Sequence, residues 1–138
     1  MVNTAMLSQR YQHGILVITI HDDPAHDERA DLARRLAELM RAHHPAPVVV
    51  VIADAACSAS TATAVRRAHR RGRDRNELLS VVTHSAPVRR LLQAGEAAAR
   101  HRMVIHPRMD VALAATSQAC SDRAGAASAE PLRLSQPT

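Results

Sequence analysis

Val48-Val49-Val50-Val51-Ile52 places five β-branched side chains in a row, between Pro47 and Asp54. Successive side chains of a strand point to opposite faces, so an unbroken apolar run belongs to a strand covered on both sides. The run is too short for a helix of ordinary length, and β-branched residues favour the extended backbone. It predicts the central strand of a sheet with helices packed against it.

The segments on either side supply the rest of that sheet. Leu7 to Tyr11 and Ile15 to Ile20 are short β-like runs around Gln12-His13-Gly14, which suits a hairpin. Asp23-Pro24 offers an N-cap with proline in the first turn, and Leu32, Leu36, Leu39 and Met40 recur at helical spacing opposite Arg34, Arg35, Glu38 and Arg41. This helix must stop near His43-His44-Pro45, because proline drives the residue before it out of the helical region. After the valine run, the small residues Ala55 to Thr63 lead into a helical stretch through Val65, Ala68 and His69 to Arg71, with Gly72 as its C′ residue. Leu78 to Thr83 reads as a strand. Ser85-Ala86-Pro87 caps a helix bearing Val88, Leu91 and Leu92 that ends near Gly95. Met103 to Ile105 is a last strand, and Pro107 opens a closing helix with Met109, Ala112 and Leu113 inward.

The predicted order is ββαβαβαβα, an α/β fold with a mixed sheet of about five strands and about four helices. One domain over residues 1–116 follows, with 117–138 a disordered tail, since Ser, Gln, Gly, Ala and Pro dominate there without apolar period. At 138 residues and 46% apolar content the chain can bury a core without metal or disulfide staples. No apolar stretch is long enough to span a membrane, and nothing at the N-terminus directs export, so a cytoplasmic location is expected.

Composition also bears on function. All 18 basic residues are arginine, and 13 acids leave a net charge of +5, enough to attract an acidic partner. A nucleic-acid partner is not expected, because Tyr11 is the only aromatic residue and no helix-turn-helix, zinc-finger or RNA-binding signature accompanies the arginines. Only four glycines occur, and no P-loop, GxGxxG or GxSxG is present, so an enzyme is not expected either. His21-Asp22-Asp23 with His26-Asp27 could ligate a metal, but acids at a strand-to-helix junction are ordinary caps, and no metal or cofactor is assigned.

Three segments carry a resemblance to a known family. Val65-Arg66-Arg67-Ala68-His69-Arg70-Arg71 is similar to the second helix of the STAS family, and His84-Ser85-Ala86-Pro87-Val88-Arg89-Arg90-Leu91-Leu92 to its third. Ile105-His106-Pro107-Arg108-Met109-Asp110-Val111-Ala112-Leu113-Ala114 is similar to the closing strand and helix. The chain thus resembles a bacterial anti-sigma factor antagonist over about residues 5–116. The resemblance implies binding to an anti-sigma factor of kinase-like ATPase fold, with consequences for transcription, and release when that partner phosphorylates a serine in the motif Asp-Ser-Ser/Thr/Ala-Gly.

This chain departs from the motif. Counted back from Arg67, it falls on Ser58-Ala59-Ser60-Thr61, so the acceptor position is Ala59; a one-residue slip brings in Ser58 or Ser60. The family's Gly-Glu-Leu-Asp is replaced by Asp22-Asp23-Pro24-Ala25. The phospho-acceptor candidates are therefore Ser58 and Ser60, with Ser60 the expected helix cap. The expected partner surface is Asp22, Asp23, Ser58, Ala59, Ser60, Thr61, Thr63, Arg66 and Arg67. Two other readings stand beside it: a constitutive STAS-type binding or scaffold module without phosphate chemistry, and a small thiol enzyme using Cys57 at a helix N-terminus. Dimerisation is not legible.

Overall fold

The computed structural model describes residues 6–44, 46–71, 79–96 and 103–118. In chain order the strands are β1 (Leu7–Gln12), β2 (Ile15–Ile20), β3 (Val48–Ile52), β4 (Leu79–Val82) and β5 (Met103–His106). The helices are α1 (Arg29–Ala42), α2 (Ala59–Arg71), α3 (Ala86–Glu96) and α4 (109–118). The order is ββαβαβαβα, and the valine run is the middle strand of a five-stranded sheet ordered β1-β2-β3-β4-β5.

β1 and β2 form an antiparallel hairpin with Gln12 opposite Ile15. Its two-residue turn holds His13 at φ 54° and Gly14 at φ 78°, and two positive φ values match the twist of the flanking strands. Every other pairing is parallel, as helical crossovers demand: β2 with β3, β3 with β4, and β4 with β5. Right-handed crossovers between neighbouring parallel strands put their helices on one face. Accordingly α1, α2 and α3 lie side by side, with α2 touching both neighbours.

Strand alternation divides the core into two layers. On the three-helix face, Leu16, Ile18, Ile20, Val48, Val50, Ile52, Leu79 and Val81 pack with helix residues such as Leu32, Leu36, Val65 and Leu92. On the opposite face Ile15, Val17, Val49 and Val82 pack with Ala112 and, at the edge, Met109 and Leu113 of α4. This two-sided cover is why β3 tolerates no polar residue. Ser80, on the α4 side of β4, is buried but hydrogen-bonded to Thr116 at 2.9 Å, so neither hydroxyl is left unsatisfied.

Several local expectations are corrected. Helix α1 begins at Arg29 and not at Pro24, because a 3-10 turn over His26–Glu28 comes first and the Glu28 carboxylate accepts the Ala25 N–H at 3.1 Å. Asp23 is thereby freed for a different partner. Helix α3 does end next to Gly95, as expected, at Glu96. The last helix is described as far as residue 118, and Thr116 is buried. Residues 119–138, Gly72 and Leu78 lie outside the described residues.

His106, at the end of β5, has its Nε2 buried without a hydrogen-bond partner among the described residues, and burial holds its pKa below the ordinary imidazole value. The folded protein thus resists a proton that the unfolded chain accepts once pH falls below about 6.5. In that range the unfolded state binds more protons, so stability declines as pH drops. Melting temperature measured from pH 7.5 to 5 should fall more steeply for the wild type than for His106→Asn. Parallel curves would show that this imidazole is not held neutral by burial.

Candidate functional site

Parallel strands deliver their C-terminal ends to one edge of the sheet, where ligands and partners of α/β folds commonly bind. Here that edge gathers residues 21–23 after β2, 53–58 after β3, 83–85 after β4 and His106. Backbone bonds hold the segments in register: Ala53 N–H donates to Ile20 O at 3.0 Å, and Thr83 N–H donates to His106 O at 3.1 Å.

Between β3 and α2 the chain makes a 3-10 turn over Asp54–Ala56, then passes through Cys57 in an extended conformation to Ser58. Ser58 caps α2. Its Oγ accepts the Thr61 N–H at 3.1 Å, its carbonyl accepts the Ala62 N–H at 3.1 Å, and its hydroxyl donates to Asp23 Oδ1 at 2.5 Å. A second contact, to Thr61 Oγ1, is longer at 3.3 Å. Ser58 has one proton to give, and the shorter distance to a charged acceptor assigns it to Asp23. The cap is therefore Ser58 and not Ser60, because only Ser58 sits before the first helical residue with its side chain turned back on the first turn.

The Ser58–Asp23 bond joins two segments of the expected partner surface that lie 35 residues apart. Around it, Asp22 and Asp23 are exposed, Ala59 is exposed, and Ser60 and Thr63 are half-buried. Thr63 Oγ1 donates to the Ala59 carbonyl at 2.9 Å, whereas the Ser60 hydroxyl has no hydrogen bond to any described residue. Thr61 is fully buried, so it supports the loop from within and offers no contact surface. Arg66 and Arg67 continue along α2, with Arg67 one and two turns beyond Thr63 and Ser60 on the same stripe.

Cys57 is half-buried against the core. Its sulfur donates to the Ala53 carbonyl at 3.5 Å and meets Thr83 Oγ1 at 3.5 Å; among the described residues no histidine hydrogen-bonds to it. Thr83 Oγ1 also accepts the Ser85 N–H at 3.2 Å, and Ser85 caps α3 by accepting the Val88 N–H at 3.3 Å. Thr83 and Asp54 were missed from sequence. The available signal was their position just past adjacent parallel strands. Asp54 lies 3.8 Å from His84, but both side chains are largely exposed, and such a pair contributes little.

Cys120 lies outside the described residues. Among the described residues no three His, Cys, Asp or Glu side chains converge in a metal-holding group, and His21 instead bonds Ser8 Oγ through Nε2 at 2.7 Å. No helix among them is long and apolar enough to cross a membrane. No protein-family model matches the chain, and no curated protein matches it.

The mouth of α2 can accommodate an anion. The first turn of a helix leaves N–H groups unpaired and carries partial positive charge, which stabilises an anion by about 0.3–1 kcal/mol at an exposed site. The two serines are not equivalent to that anion. A phosphate on Ser58 would break the Asp23 bond and set two like charges side by side, a repulsion of roughly 4 kcal/mol per charge pair at 4 Å and an effective dielectric of 20. A phosphate on Ser60 keeps both the cap and the link.

Proposed function

We propose that this chain is a bacterial, cytoplasmic regulatory protein resembling the STAS anti-sigma factor antagonists, and that it acts by binding and not by catalysis. Its partner is an anti-sigma factor of kinase-like ATPase fold, which it occupies so that the sigma factor is released to transcription. The docking surface is the exposed Asp22-Asp23 turn with Ala59, Ser60, Thr63 and the first arginines of α2.

The observation that carries this reading is the Ser58–Asp23 hydrogen bond at 2.5 Å, which fixes the loop after the central strand to the turn after β2. A docking surface needs such preorganisation, because ordering a loose loop on binding costs affinity. Ser60, free of other hydrogen bonds among the described residues, is the phosphate acceptor in this reading. A phosphoserine carries about −1.5 to −2 charges, and closing an interface over it without a counter-charge opposes binding while the domain stays folded.

A second reading is favoured by Ala59, which stands exposed at the acceptor register. It keeps the binding role and omits the phosphate step, so that the protein remains permanently in its binding state. Affinity capture from the native host, followed by incubation with the captured ATPase and ATP, separates the two. A mass increment of one phosphate on residues 57–63 is expected on the first reading and none on the second. Failure to recover any protein of kinase-like ATPase fold would remove both.

A further inference from the structure

We infer that the arginine face of α2 and α3, which continues from the Arg66 and Arg67 end of the proposed docking surface, takes a carboxylate-rich segment of a protein partner. Helix α2 contains Arg66, Arg67, Arg70 and Arg71 and no acid. Arg67, Arg70 and Arg71 are exposed and Arg66 half-exposed, and on the neighbouring α3 Arg90 is exposed and Arg89 half-exposed. None of these six guanidinium groups has an ion pair or hydrogen bond with any described residue, whereas Arg34 and Arg108 elsewhere are paired with Asp31 and Asp110.

The α2 arginines also repel one another. Arg66 and Arg70, Arg67 and Arg71, and Arg67 and Arg70 stand at spacings where like charges meet on a helix surface. The helix dipole relieves Arg70 and Arg71 in the last turn, but its influence falls off before Arg66 and Arg67. An arriving carboxylate would remove that repulsion, and the guanidinium fork holds a carboxylate through two parallel bonds.

The shape of the layer selects protein over nucleic acid. Because α2 is flanked by α1 on one side and α3 on the other, its arginines lie on a three-helix surface. Helices pack about 8–10 Å apart, so the outer axes stand roughly 16–20 Å apart. The major groove of DNA is about 12 Å wide and admits one helix, not three abreast. The only aromatic side chain, Tyr11, is on β1, where its hydroxyl is hydrogen-bonded to His43 Nδ1, so it is not part of the arginine face.

The test is titration of the full chain with a fluorescently labelled twenty-residue polyglutamate peptide at 50 and 200 mM salt. Arg67→Glu/Arg70→Glu should raise Kd at least tenfold. Arg10→Glu/Arg108→Glu, which changes net charge equally but lies on the edge strand and the turn before α4, should raise it less than threefold. Arg67→Gln/Arg70→Gln, a milder change with circular dichroism as a fold check, should fall between them. Equal losses in the two reversal variants would mean attraction by net charge alone and overturn the proposal. A DNA duplex bound more tightly than the peptide, with the same dependence on Arg67 and Arg70, would overturn it in favour of a nucleic-acid face.

Discussion

Val50→Asp should give a chain with no cooperative unfolding transition at 25 °C. Val50 is 1% exposed in the middle of β3, facing the three-helix layer between Ile18 and Val81 of the adjoining strands. An ionised carboxylate there has no cation to meet, and its effective burial penalty is several kcal/mol. Loss of the buried valine adds about 1.5–3 kcal/mol. Together these approach or exceed the whole stability of a typical domain, about 5–15 kcal/mol. Arg10→Asp on exposed β1 should alter stability by no more than about 0.5 kcal/mol. Chemical denaturation followed by circular dichroism checks both. A cooperative, wild-type-like transition for Val50→Asp would show that β3 is not the covered middle strand.

That strand is also where sequence and structure agree most closely, and the reason is periodicity. Five consecutive β-branched residues fit one environment only, and the neighbouring strands and helices follow from apolar spacing and from Ser85, Pro87 and Pro107 as punctuation. The start of α1 was less legible. Asp23-Pro24 has the local chemistry of a cap, but a hydroxyl 35 residues away competes for the same carboxylate and wins. Local reading cannot weigh a tertiary partner of that kind. The same limit applies to the cap of α2: Ser58 and Ser60 are both suitable residue types, and only the position of the first helical turn distinguishes them. Cys57, Thr83 and Ser85 likewise meet only because β3 and β4 are parallel neighbours.

The second large effect should come from the Ser58–Asp23 link. Ser58→Ala removes the cap of α2, typically about 1 kcal/mol, and leaves the Asp23 carboxylate without its donor. A hydrogen bond to a charged group contributes about 1.5–3 kcal/mol when partly protected from water. Asp23 is exposed, so the lower end applies, and a total loss of about 2.5 kcal/mol is expected. Ser60→Ala, at a hydroxyl with no hydrogen bond to a described residue, should cost less than about 0.5 kcal/mol. Asp23→Ala should cost less than Ser58→Ala, because the cap survives. In the double variant the losses should not add, the shortfall measuring the coupling between the two segments. Additive losses would mean that the turn after β2 and the loop after β3 are not held together by this bond.

Both sets of measurements concern the scaffold, whereas the proposed docking role depends on what the loop does once held. Its most direct test is the affinity of the captured kinase-like ATPase for three proteins: wild type, Ser60→Ala and Ser60→Glu. Ser60→Ala should bind like the wild type, and Ser60→Glu, folded and with an unchanged melting temperature, should bind at least tenfold more weakly. Equal affinity for all three would contradict the assignment of the α2 mouth as the regulated docking surface.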